Sequence, residues 1–300
     1  IMMGNLAIAK LISNWFDKNA GRALGIAAVG ISFSGVLLPL IVDPLLELVG
    51  WRNVYVIFAS VVFFIILPLI FFVVIDDPTS VNQVKDGIKR DLEEESLPQD
   101  MTSKDLLSKR VFWIISLAFA FQFLSMMGVI AFLPIHASKM GLDETWTLLG
   151  FPIKQYVFAY TLAAFGGVLG KLIFGYLMDI MKAAYPSMIA MSLQATGIFG
   201  FTYFSEPSIF FLSALIFGLG YGAATPLMTA CYLRAFGSHN LGKARGISSP
   251  IVAPLQPIGI LITSILIGFQ DTYFIAFNIM GCVALVAVVL ASQIQEPEKF

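Results

Sequence analysis

With 58% hydrophobic and 12% charged residues in a chain of 300, the protein holds half the charge of a soluble domain, where roughly 25% is usual. A net charge of −1 excludes the basic footprint of a nucleic-acid-binding protein. Cys231 and Cys282 both fall inside apolar runs and offer neither a disulfide framework nor a Cys-x-x-Cys metal site, and the two histidines lie far apart in sequence.

A helix of about 20 apolar residues crosses the ~30 Å hydrocarbon core of a bilayer. In chain order, a shorter apolar run opens the sequence at 1–16, and full-length runs follow near 23–42 and 54–75. The stretch 76–110 interrupts them with D-D-P-T-S and D-L-E-E-E-S-L-P-Q-D, and it reads as a polar linker. Six further runs follow near 111–135, 156–178, 186–204, 208–233, 246–270 and 272–295. The runs are continuous rather than alternating, which selects helices over barrel strands. The expectation is an all-α, multi-pass integral membrane protein with nine transmembrane helices, located in the plasma (inner) membrane.

Loop charges orient these helices. If 17–22 is cytoplasmic, so are 76–110, 179–185, 234–245 and the tail 296–300. Those segments hold Lys18, Arg22, Lys85, Lys89, Arg90, Lys104, Lys109, Arg110, Lys182, Arg234, Lys243, Arg245 and Lys299. The other side receives Arg52, Lys139 and Lys154. Such asymmetry is the positive-inside pattern. Lys10 and Lys171 remain, both inside helices.

The sequence also echoes itself. Gly21-Arg22-Ala23-Leu24-Gly25-Ile26 and Gly242-Lys243-Ala244-Arg245-Gly246-Ile247 each follow a short polar stretch and open an apolar helix. Two parallel halves are a known plan for transporters. On that plan 111–295 is a complete six-helix bundle, and 1–75 is the remnant of an N-terminal bundle, its helices four to six. The chain then reads as a fragment lacking three upstream helices.

Several motifs resemble the major facilitator superfamily. Trp15-Phe16 with Arg22, Ala23 and Gly25-Ile26 is similar to the junction of the fourth and fifth helices in the monocarboxylate and oxalate–formate carriers. Gly50-Trp51-Arg52 resembles the Gly-Trp-Arg after the fifth helix, and Gly175-x-x-x-Asp179 the signature between the eighth and ninth. Two departures stand out: Ile180, not Arg or Lys, follows Asp179, and the fifth helix lacks a Gly-Pro pair. The resemblance implies two pseudo-symmetric six-helix bundles, of which the first is incomplete here. It implies alternating access, with Gly175, Asp179 and Arg22 as gating residues. A cation four residues before the helix-eight glycine is also a feature of those carriers, and Lys171 is similar in position.

From the residues themselves, Lys171 stands eight positions before Asp179, about 12 Å of helix, and so lies deep in the membrane. An ionisable group there faces a bundle interior or a wet cavity. It serves either as a point charge for an anion or as a lysine snorkelling to the interface. Tyr160, Ala164 and Gly167 share its face. Tyr221, Thr225 and Thr229 form a polar stripe at i, i+4 and i+8. Ser249, Ala253, Gln256 and Thr263 form another, and Gln122 pairs with Ser125. These residues either line a cavity or bond helix to helix. Lys171, Gln122, Tyr221, Thr225, Gln256 and Tyr160 are accordingly the candidate substrate-binding set.

The function expected is a secondary active transporter of a small, monocarboxylate-like organic anion. The alternatives are a membrane sensor or scaffold on a transporter fold, or a carrier of a neutral or cationic solute. The expected partners are a small-molecule substrate, a proton as candidate co-substrate, and the lipid bilayer. No constellation of catalytic groups or metal ligands points to an enzyme, and no cofactor is expected.

Overall fold

The computed structural model describes residues 2–16, 19–83, 100–148, 151–270 and 273–295. The acidic run in 91–99 and the tail 296–300 lie outside the described residues. Helix α1 spans Met2–Trp15 and α2 Ala20–Val61, with α2 turning over at Gly50 (φ +72°, ψ +159°). A π-helical turn, Val62–Ile66, precedes α3, Leu67–Val73. Pro68 explains that turn, because its missing N–H leaves the carbonyl one turn earlier without an α-helical donor.

After the linker, α4 (Ser103–Ser108) is closed at its start by a reciprocal cap between Thr102 and Asp105. Helix α5 (Arg110–Ile130) continues past a break into α6 (Leu133–Lys139), which has Pro134 in its first turn. The rest of the bundle comprises α7 (Gln155–Ile180), α8 (Ala184–Tyr203), α9 (Pro207–Gly222), α10 (Ala224–Val252), α11 (Leu255–Gln270) and α12 (Tyr273–Ala291). Helix α10 turns over at Gly237 (φ +76°, ψ +168°). Both turning points need backbone angles that only glycine adopts without strain.

The bundle is all-helical, as expected, with one addition in the loop before α7. Strands Thr145–Leu148 and Phe151–Lys154 pair antiparallel, Thr145 opposite Lys154. A lone hairpin is marginal in water. This one is fastened by Trp146, whose ring centroid lies 5.3 Å from Phe211 and 5.9 Å from Phe158, and by Gln155 donating to Glu144 at 3.1 Å.

By length and apolarity, five stretches of the described residues suffice to cross a membrane: Leu48–Val73, Arg110–Ile130, Gln155–Ile180, Pro207–Phe269 and Tyr273–Ala291. Four features separate this count from the expected nine. The expected span 23–42 is represented among the described residues only by the shorter apolar stretch Ala20–Gly30. Helix α1 has 14 residues. Two expected spans run together through 207–269. And α8 spends part of its length on polar residues turned inward, with Ser187 and Gln194 fully buried.

The core lies in α5 and the helices that follow it, where Phe112, Phe119, Phe201, Phe210, Phe217, Phe277 and Tyr232 are almost wholly buried. The stretch 48–73 is its opposite: Phe63, Phe64, Phe71 and Phe72 are exposed. Apolar surface of this kind costs nothing against lipid tails, so hydrophobicity cannot drive helices together there and close van der Waals packing must. Helices α7 and α9 show how. A Cβ at Gly218 would collide with the Ala163 carbonyl, and one at Gly222 with the backbone of Gly167. The mirror contacts place Gly166 and Gly170 against the backbone of Leu215 and Leu219.

Gly218→Ala is expected to overpack this crossing at a cost of about 2 kcal/mol, seen as a lower apparent Tm in detergent. Gly246→Ala, where a Cβ meets nothing within 4 Å, is expected to be neutral or to stabilise by up to about 1 kcal/mol.

Candidate functional site

Helix α7 has a second small-residue contact, with the start of α2. A Cβ at Gly25 would lie 2.5 Å from the Lys171 carbonyl oxygen and 3.3 Å from Gly175 Cα. One at Gly21 would lie 2.6 Å from the Gly175 carbonyl oxygen. Gly21 and Gly25, one turn apart, thus form a notch that receives Gly175, and the backbones touch with no side chain between them. Lys171, Gly175 and Asp179 follow each other at i, i+4 and i+8 along the α7 face that meets α2.

That approach brings the Asp179 carboxylate onto the first turn of α2. Its Oδ1 accepts from the Gly21 N–H at 2.9 Å and its Oδ2 from the Arg22 N–H at 3.1 Å. Helix starts leave such donors unmatched, and Asn19, just before α2, makes no side-chain capping bond. The cap therefore comes from another helix, and its negative charge suits the positive end of the α2 dipole. The Arg22 side chain adds an ion pair at 3.5 Å, with Arg22 about half exposed and Asp179 nearly covered. Its guanidinium also lies 4.6 Å from the Tyr176 ring centroid. At the end of α7 itself, Arg234 donates to the carbonyls of Met181, at 2.7 Å, and Met178. A cation thus closes the negative end of that helix.

Lys171 is buried, 5% exposed, and it is the only lysine or arginine so covered among the residues whose side chains the structure describes. Between α1, α2 and α10 lies a cavity of about 30 Å³ lined by Ile8, Ala9, Leu24, Ala28, Thr225 and Thr229, among others. That is room for a water or two. Thr229 Oγ1 donates to the Thr225 carbonyl at 3.1 Å.

The other expected binding residues are dispersed. Gln122 is fully buried on α5, its side-chain amide donating to the Gly220 carbonyl at 3.4 Å, while its backbone carbonyl accepts from Gln194 at 3.0 Å. Tyr221 is half-buried and packs on Phe217 at 5.1 Å. Gln256 is half-buried on α11, and Tyr160 is exposed. Gly167, which shares a face with Lys171, packs against Gly222 and does not open space for a ligand.

The profile of the Major Facilitator Superfamily matches residues 3–255. The chain belongs to that superfamily. Among curated proteins none matches it by sequence. A similar solved structure is that of the superfamily's proton:xylose symporter XylE bound to 6-bromo-6-deoxy-D-glucose, with a TM-score of 0.65 and 18% identity. The match covers 98% of this chain and 68% of that one. At such identity the likeness carries the fold alone, which is that of a secondary transporter. This superfamily member is accordingly an integral, multi-pass membrane protein.

Sequence reasoning missed two residues at this site. Arg234 counted only as a loop charge, although its place at the basic end of a helix was a usable signal. Gln194 went unremarked because a lone glutamine in an apolar run has no periodic partner.

The two halves of the Asp179 contact differ in weight. A half-exposed ion pair contributes under about 1 kcal/mol, whereas losing a helix cap costs about 0.5–2 kcal/mol. Asp179→Ala is therefore expected to lower the apparent Tm in detergent more than Arg22→Ala, whose backbone N–H remains bonded.

Proposed function

We propose that the protein moves a small organic anion of the monocarboxylate type across the membrane by rocker-switch alternating access, with Lys171 as its charge partner. The burial of Lys171 carries this reading, because an ionisable group at membrane depth is retained for function by default. A lysine is a compact point charge without the fork that grips both carboxylate oxygens, so the anion needs further hydrogen-bond donors. This reading assigns that role to Thr225 and Thr229, the two hydroxyl-bearing residues lining the cavity between α1, α2 and α10. The basic end of the bundle then faces the cytoplasm, in line with the distribution of lysine and arginine. Gly175, Asp179 and Arg22 act there as a gate, since a carrier needs contacts that hold in one state and part in the other.

A carrier of a neutral solute is the second reading. Its supporting observation is the lining of that same cavity, which is apolar apart from two threonine hydroxyls, and the solved carrier of like fold is a proton:xylose symporter.

Proteoliposomes offered a labelled monocarboxylate and, separately, a labelled pentose distinguish the two. We expect anion uptake, and a loss in Lys171→Gln of more than about tenfold in affinity, since a charged hydrogen bond contributes about 2 kcal/mol. Pentose uptake unaffected by Lys171→Gln, without anion uptake, would replace the anion reading by the neutral one.

A further inference from the structure

The Gly237 turn is gripped from two directions. Its φ of +76° sends the chain from the first leg of α10 into the second, and the residues just beyond it are each held. The Ser238 carbonyl accepts from Lys10 Nζ of α1 at 3.3 Å. The Asn240 side chain, buried, accepts from the Met101 N–H at 3.0 Å. Lys243 Nζ donates to Asp100 Oδ1 at 2.7 Å and to the Met101 carbonyl at 2.6 Å. His239 Nε2 stands 3.8 Å from the same Asp100 oxygen. The lysine hydrogen bond holds the Asp100 carboxyl below its usual range.

Lys10 belongs to the first part of the chain, Ser238 to the second, and Asp100–Met101 to the end of the segment joining them. We propose that Asp100–Met101 is a strap that positions the Gly237 turn, through Asn240 and Lys243, so that Ser238 presents its carbonyl to Lys10. On this view Lys10 and Ser238 form a second closing contact between the two bundles at the basic end, in addition to the one that Asp179 of α7 makes with α2. Asp100, Asn240 and Lys243 are its positioning residues. Three features support this. The strap is anchored on its far side, where Leu106 of α4 is fully buried, so Asp100–Met101 is held in place against the turn. The turn itself has no neighbour within 4 Å of a Cβ at Gly237, so packing leaves it room to move. And the Lys243–Asp100 pair is largely exposed, 37% and 69% for the two side chains. Such a pair is weak and salt-sensitive, so the strap biases the turn toward Lys10 without locking the closing contact.

The test reads gate opening directly and does not depend on which solute is carried. Ala28 lines the cavity behind this contact and is 8% exposed. Ala28→Cys, in a background with Cys231→Ala and Cys282→Ala, is labelled in the membrane-embedded protein with a membrane-impermeant maleimide applied at the basic end. Lys10→Ala and Lys243→Gln are each expected to raise the labelling rate about threefold, the scale of a half-exposed charge contact. Adding Lys243→Gln to Lys10→Ala should bring no further rise, because both act on one contact. Arg110→Ala removes a different contact of the same segment, with Gln293 at 3.0 Å, and should leave the rate unchanged. Rates that multiply in the double variant, a rise with Arg110→Ala, or no rise in either single variant would each overturn the proposal.

Discussion

The crossing of α2 and α7 is the contact on which the rest of the arrangement depends. Gly21, Gly25 and Gly175 let two backbones touch, and that proximity places the Asp179 carboxylate on two N–H groups of α2. Neither half suffices alone. Glycines without the carboxylate leave the start of α2 uncapped, and a carboxylate held off by side chains could not reach it. The same crossing sets the Lys171 backbone against Gly25, so the buried lysine and the carboxylate that caps α2 belong to one face of one helix. A motion that separates α2 from α7 therefore changes the surroundings of Lys171 and releases Asp179 together. Such coupling is what alternating access requires.

Within the second bundle the organising force is different in detail and alike in kind. Helix α7 meets α9 through Ala163, Gly166, Gly167 and Gly170, and the aromatic residues fill what the glycines leave. Lipid offers no hydrophobic incentive for helices to associate, so contact area at short range decides the partners. Polar side chains then join helices instead of lining a path: Gln122 and Gln194 bond across α5, α8 and α9, and Ser116 meets the Tyr232 hydroxyl at 2.6 Å. This accounts for the dispersal of the expected binding set. A glutamine or tyrosine on one helical stripe satisfies a neighbouring helix as readily as a substrate, and only the packing angle selects between them.

Membrane insertion, helical class and the sidedness of charge are written in composition and run length, because the bilayer imposes a length and an apolarity that each segment must meet by itself. The Gly175-x-x-x-Asp179 spacing likewise put a glycine and a carboxylate on one face before any fold was known. What each face meets was decided by tertiary structure. The repeated Gly-(Arg/Lys)-Ala-x-Gly-Ile makes the point: Gly21 and Gly25 are pressed against α7, whereas Gly242 and Gly246 have open space beside them. The hairpin at 145–154 and the cap that Arg234 sets on α7 were equally invisible. They rest on partners brought together from distant parts of the chain, and local sequence has no means of recording who the neighbour will be.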